Sequence, residues 1–486
     1  MQKIKDKRQS PNIHIAVENF GPIEKAEMDL RPLTVFVGES NTGKTYFAAL
    51  IYALQRTFEG IPRVPWLHYD TSRFNPIYYS QPADLSTEKL LEETQEVLKK
   101  LVVTNQPFKF SDLPMWVRDR LQSGSAHSEV LEGQLKRCFD FMSVSELARF
   151  TKNQSEAMKV SFEVCEENQT LWSFNFCASG SDTNVDKFIN EDIVLSSEDK
   201  EIFQKALDVK DQGIPFRFIM PVSAASYYLP AARSSLMETH GVIVSSLIDL
   251  ATPDGLKRSP ENAMLSGMIA DFLKQTINYD ERRVSSDEMN GIAKVLEDGV
   301  LRGEIEVRRP TAGYPEFRYR PQKSEQALRM SQASSMVSEL APLVLFLRGV
   351  VQPGDTLIIE EPEAHLHPAA QAKMALTLAR LVRAGVRVII TTHSDWLLEQ
   401  IGNLVREGEV MKLGKNKTEP TTWLTKEEVG TWWFRTDTPV KEIPFEHIAG
   451  IEPDEYGEVA EKLYNRSVDL RTQLEETVGG TEVEQK

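Results

Sequence analysis

Gly38-Glu39-Ser40-Asn41-Thr42-Gly43-Lys44-Thr45 satisfies the pattern G-x-x-x-x-G-K-[ST] in full. Two glycines at that spacing let the backbone curl until successive N–H groups point at phosphate oxygens. The flanks supply the context the pattern needs. Upstream, Leu33-Thr34-Val35-Phe36-Val37 is an apolar, β-branched run that stops at a glycine, as a buried strand entering a turn does. Downstream, helical periodicity from Lys44 to about Arg56 brings the positive end of a helix to the same spot. Gly38, Asn41, Thr42 and Gly43 are therefore expected to cradle the phosphates of ATP. The Lys44 ammonium would reach the β- and γ-phosphates, and the Thr45 hydroxyl would ligate Mg²⁺.

A phosphate loop needs an acidic group at the end of a neighbouring buried strand, and Thr356-Leu357-Ile358-Ile359-Glu360-Glu361-Pro362 supplies one. Glu360 is expected to hold Mg²⁺ through water, and Glu361 to orient or deprotonate the attacking water. Adjacent carboxylates at the tip of an apolar strand are costly unless a cation lies nearby. The competing reading is a charged turn that merely ends a strand. A second buried run, Val386-Arg387-Val388-Ile389-Ile390, leads into Thr391-Thr392-His393-Ser394, where His393 can contact the γ-phosphate and sense its presence. Between the two runs, Glu363-Ala364-His365-Leu366-His367-Pro368 contains an H-x-H pair. Zinc ligation is one reading of it, disfavoured because no cysteine lies close; a loop between subunits is the other, implied by a resemblance to ABC proteins and not by the spacing.

The whole 486-residue sequence is ordinary in composition, with 41% hydrophobic and 26% charged residues, and is too long for one compact core. No apolar stretch approaches the roughly 20 residues that cross a bilayer. The charged N-terminus lacks the core of a signal peptide, and three cysteines (Cys138, Cys165, Cys177) lack metal-ligand spacing, so a reducing cytoplasm and no membrane are expected. A formal net charge of −16 disfavours indiscriminate nucleic-acid binding without excluding a local basic groove.

The pattern divides the chain into five parts: an N-terminal half-site (1–60), a helical insertion with a small hairpin (61–210), a second part of the insertion with return strands (211–320), the C-terminal half-site (321–425) and an acidic, helical segment (426–486). Strands are expected near 13–17, 26–30 and 216–221, and hairpins at 158–177 and 303–320. Helices are expected over 87–103, much of 234–300, 334–348 and 369–384. The fold class is α/β, a P-loop NTPase with a large, mostly helical insertion.

Asn19-Phe20-Gly21-Pro22, Tyr228-Leu229-Pro230-Ala231-Ala232-Arg233, the Glu360–Pro368 segment and Thr392-His393-Ser394 resemble the ABC-type AAA ATPases, a group that includes RecF-like and OLD-family proteins. The resemblance covers roughly 13–56 and 325–400. It implies an SMC-head-like ATPase in which two subunits, at least a head-to-tail dimer, complete each other's sites. By position, Ser334 and Ser335 would then be the signature segment reaching the partner's γ-phosphate. Three features depart from the wider ABC pattern: Glu360 stands where many ABC proteins have Asp, as is usual in this group, there is no LSGGQ, and Met336 stands where relatives often carry Gly. Arg233 and the arginines at 308, 309, 318 and 320 are left between phosphate, nucleic acid, a partner and surface ion pairs.

Only about 90 residues follow His393, too few for the TOPRIM nuclease domain of an OLD-family protein. The chain therefore resembles sensor ATPases of two-gene anti-phage systems, whose effector is a separate TOPRIM or HNH nuclease and whose trigger comes from the phage. A RecF-like DNA-repair or DNA-loading ATPase is the alternative, and steep salt dependence of DNA binding would favour it. A slow-turnover scaffold that assembles on ATP is the third reading.

Overall fold

Two alternating stretches near the N-terminus form β1 (Asn12–Phe20) and β2 (Ile23–Leu30), an antiparallel pair in register from Ile13 opposite Leu30 to Phe20 opposite Ile23. The computed structural model describes residues 12–58, 108–112, 115, 118, 125–148, 157–166, 169–179, 182–192, 194–195, 225–250, 265–280, 286–309, 314–413, 422–448, 450–451 and 461–474. The expected helix at 87–103 and strand at 216–221 lie outside these residues.

β3 (Leu33–Gly38) is buried at every position and runs through the loop into α1 (Lys44–Phe58). Next come β4 (Phe108–Lys109), α2 (Ser125–Phe139), β5 (Met158–Glu166), β6 (Gln169–Ser179), β7 (Asp182–Ile189) and β8 (Val194–Leu195). β9 (Ser226–Leu229) precedes three helices, α3 (Arg233–Leu250), α4 (Gly267–Ile277) and α5 (Asp287–Leu296). β10 (Gly303–Arg308), β11 (Glu316–Pro321) and β12 (Leu328–Arg329) make a small sheet of their own. The chain then runs through α6 (Ser335–Gly349), β13 (Thr356–Glu360), α7 (Pro368–Arg383), β14 (Arg387–Thr392), α8 (Asp395–Lys412), β15 (Val429–Phe434) and β16 (Lys441–Ile443). Residues 461–474 form an exposed helix.

Two larger sheets organise these elements. One has the order β16-β15-β3-β14-β13-β9, parallel throughout except for the edge strand β16. The other, β2-β1-β5-β6-β7, is antiparallel. The parallel sheet is the middle layer of the molecule. Phe36, Ile358 and Ile389 face a core shared with α1 and the inner side of the antiparallel sheet. Their neighbours Val35, Val37, Ile359 and Ile390 face a second core with α6, α7 and α8. Burial on both faces explains why these strands read as unbroken apolar runs.

The α/β P-loop fold expected from the sequence is the observed one. Three local readings change. The hairpin at 158–177 is part of a five-stranded sheet: β5 pairs with β1, and β7 extends β6. β9 is a strand that its four residues are too short to announce by periodicity. The segment beyond 425, expected to be helical, begins with β15, which pairs with β3 from Val429 opposite Leu33 to Phe434 opposite Gly38. Its aromatic and β-branched side chains suit a pleated, buried position, and that preference outweighs the acidic composition of the residues after it.

Candidate nucleotide site

Parallel pairing decides where the chemistry collects. Val37 of β3 lies opposite Thr392 of β14, and Thr391 of β14 lies opposite Glu360 of β13. The carboxyl ends of all three strands therefore open onto one crevice, the place where open α/β sheets bind ligands. The P-loop, the two glutamates and His393 meet there, although they come from opposite ends of the chain.

The loop's shape depends on its glycines. Gly38 has φ 141°, and a Cβ on it would lie 2.0 Å from the carbonyl oxygen of Phe434 in β15. Gly43 has φ 103°, and a Cβ there would meet the Ile23 side chain at 2.6 Å. Asn41, exposed at the apex, tolerates φ 65° because a short polar side chain suffers least in the left-handed region. Thr42 closes the turn by donating its hydroxyl to the Glu39 carbonyl at 2.8 Å. Lys44 is folded back, donating to the carbonyls of Gly38 at 2.8 Å and Glu39 at 2.5 Å. Burial lowers its pKa to about 8, against the opposing pull of Glu361, Glu363 and Glu39. Thr45 is exposed on the first turn of α1.

Glu360 is buried and oriented by two donors. Tyr228 donates its hydroxyl to Oε1 at 2.7 Å, and the Ala231 N–H reaches Oε2 at 2.8 Å. Burial, and then the charge of Glu360, hold the Tyr228 pKa well above its ordinary value, so the phenol stays a donor. Each carboxylate oxygen still has a lone pair for a water. Glu361 has φ 43°, in the left-handed region, with its N–H bonded to the Thr391 carbonyl at 2.9 Å. The His393 pKa is lowered by burial and then by Lys44, so the imidazole is neutral near pH 7.

Three participants escaped the sequence reading. Glu363 accepts from the Thr392 hydroxyl at 2.7 Å and the His393 N–H at 2.8 Å, locking the β14 exit to the loop after β13. Its Oε2 is buried without a hydrogen-bond partner, and burial, chiefly, raises its pKa. Tyr228 sat inside a quoted motif but had no role assigned. Arg233 is fully buried against the backbone of Glu360 and Glu361, which removes it from the set of arginines free to meet phosphate, nucleic acid or a partner. Arg309, Arg318 and Arg320 pair with Asp280, Glu316 and Glu306, as surface ion pairs.

Glu360, Glu361 and Glu363 give the crevice a carboxylate excess, and the orphaned Glu363 oxygen marks where a cation's field would relieve it. That chemistry fits Mg²⁺ held by Thr45, phosphate and water better than direct ligation. Among the described residues, no group of three or more His, Cys, Asp or Glu is placed to hold a metal. His367 caps α7, its Nδ1 accepting from the Ala369 N–H at 3.3 Å. Ser334 and Ser335 are exposed at the start of α6, with no side-chain hydrogen bond capping that helix. No helix among the described residues is long and apolar enough to cross a membrane.

Two family models match the chain. Residues 13–215 match "AAA ATPase domain", and residues 196–399 match "AAA domain, putative AbiEii toxin, Type IV TA system". Between them they take in the P-loop, both glutamates and His393, and they support placement in the ABC/AAA ATPase group. No curated protein matches the chain. Solved structures similar to it include an Smc head bound to the C-terminal winged-helix domain of ScpA, at 12% identity and TM-score 0.42, covering 89% of this chain and 97% of that one. A Pyrococcus furiosus Smc head with an extended coiled coil, bound to the C-terminal domain of ScpA, matches at 11% and 0.40, covering 95% and 100%. The SMC head domain from Thermotoga maritima matches at 10% and 0.37, covering 90% and 100%.

Proposed function

We propose that this chain is an ATP-hydrolysing, ABC-type ATPase that serves as the sensor or scaffold subunit of a bacterial anti-phage complex and controls a separate effector, a TOPRIM nuclease first among the candidates. The observation that carries the ATPase is the convergence of Lys44, Glu360, Glu361 and His393 at the carboxyl ends of three adjacent parallel strands. Lys44 leaves the Gly38 and Glu39 carbonyls for the β- and γ-phosphates, exchanging two neutral acceptors for a polyanion. Thr45, and Glu360 through water, would hold Mg²⁺, which would supply positive charge to the transferred phosphoryl group. Glu361 orients the attacking water, and neutral His393 donates to the γ-phosphate.

The start of α6, which no side-chain hydrogen bond caps, supports a second subunit: the exposed Ser334 and Ser335 stand ready for a phosphate held by the partner. The defence role draws on the family name that mentions the AbiEii toxin, and on the absence of a heptad array from the sequence, which brings AriA, the ATPase of PARIS-type systems, nearest.

Lys44→Ala tests both levels. It should abolish ATP binding measured by calorimetry, and tight binding in that variant would sink the P-loop assignment. Cells carrying the gene with its neighbours should lose protection from phage in the same variant. Equal phage plating with and without the intact locus would remove the defence role and leave the ATPase standing.

A further inference from the structure

Arg233 begins α3, immediately after Pro230-Ala231-Ala232, and is 1% exposed. All three of its guanidinium nitrogens are engaged. Nε donates to the Glu339 carbonyl at 3.2 Å. Nη1 donates to the carbonyls of Pro230 at 3.1 Å and Glu360 at 2.5 Å. Nη2 donates to the Glu361 carbonyl at 3.0 Å and forms an ion pair with Glu339 Oε1 at 2.7 Å. One side chain thus grips consecutive peptide carbonyls of both glutamates in the crevice, and ties them to the second turn of α6.

We infer that Arg233 is the positioning residue of hydrolysis, holding Glu361 in its left-handed conformation and coupling it to the helix that begins at Ser335. A non-glycine residue at φ 43° persists only where its surroundings over-determine it. For Glu361 the constraints are the Thr391 carbonyl and hydroxyl on its N–H, and the Arg233 guanidinium together with the Ala364 N–H on its C=O. Without Arg233 the carbonyl keeps only the Ala364 N–H of its own turn, which does not tie it to α6, and the carboxylate drifts from the water it must orient. Lysine cannot substitute: it has three donors on one atom, whereas these acceptors surround a planar fork. Glu339 lies one turn after Ser335 on α6, so any displacement of Glu361 as the γ-phosphate is lost is transmitted to the surface offered to a second subunit.

The inference rests on the ATPase reading, and the experiment separates the two. Wild type, Glu361→Gln, Arg233→Lys and Glu339→Gln are compared for thermal unfolding, ATP affinity and steady-state turnover. Arg233→Lys should bind ATP within about threefold of wild type, while kcat falls about 100-fold, the usual result of displacing a reacting group by an ångström. Glu339→Gln, isosteric and less disruptive, should lower kcat about threefold to tenfold at unchanged KM, because the positioning contact weakens while the binding contacts stay. If Arg233→Lys does not fold, Glu339→Gln decides alone. Wild-type kcat in folded Arg233→Lys, or in Glu339→Gln, overturns the inference, as does a loss confined to KM. No turnover by wild type would instead overturn the ATPase reading.

Discussion

The two large sheets share a core and follow opposite rules. In the parallel sheet, β3 and β13 are buried at every position, and each strand's carboxyl end delivers a functional group. In the antiparallel sheet, β1 and β2 alternate between buried and accessible positions, and the accessible face carries cross-strand pairs such as Lys159–Glu18 and His14–Asp29. A sheet covered on both faces can place side chains in fixed register at its rim, which chemistry requires. A sheet wetted on one face holds the other's α1 in place and leaves its own outer surface free to vary. Mutations should therefore cost far more in the first than on the outer side of the second.

The largest contrast is expected at the rim. Glu361→Gln should bind ATP yet lower kcat by about 10²–10⁴-fold, the typical contribution of a positioned general base; unchanged turnover would remove Glu361 from catalysis. Next comes the shared core, where Phe36 packs on Phe47 and Phe434 at centroid distances of 5.6 and 5.1 Å. Phe36→Ala should cost about 3–5 kcal/mol in urea unfolding, and a value below about 1 would mean that β3 is not the central strand that its pairing indicates.

On the outer face of the antiparallel sheet the expected effects shrink. Lys159→Ala, with its side chain 61% exposed and Glu18's 40%, should change stability by less than about 1 kcal/mol and leave ATP turnover untouched. The smallest effect concerns pH. The hydrogen bond to Asp29, opposed by burial and helped by the charges of Asp29, Glu27 and Glu163, raises the His14 pKa above 6.5. The charged pair therefore contributes fully below pH 6.5 and is lost as pH rises through the folded-state value. The stability gap between wild type and His14→Ala should narrow over that window by well under about 1 kcal/mol, since both partners are partly solvated. A gap that widens would mean that His14 is held neutral.

The clustering of the candidate site residues was legible because each motif residue carries its own chemistry: a glycine that must turn, a lysine suited to phosphate, carboxylates that end a strand. Its scaffolding was not. Arg233 looks like any arginine until β9 is paired with β13, since four carbonyl acceptors leave no trace in side-chain chemistry. Glu363 was hidden the same way: its partners are a backbone N–H and a hydroxyl on another strand. β15 did carry a signal, Val429-Gly430-Thr431-Trp432-Trp433-Phe434, but local pattern says nothing about which strand receives it. Long-range pairing is set by burial on both faces, which only the assembled layers define.

The placement of β3 between β14 and β15 also has a temporal meaning. A chain growing from its N-terminus makes β3 and the P-loop early, yet neither lateral partner of β3 exists until residues 387–392 and 429–434 have been translated. Contacts of such sequence separation close late and slowly. Until both partners are made, the phosphate loop is attached to an apolar strand with both edges bare, the condition that invites mispairing with other chains. The close approach of Gly38 to Phe434 therefore forms only after β15 has been made.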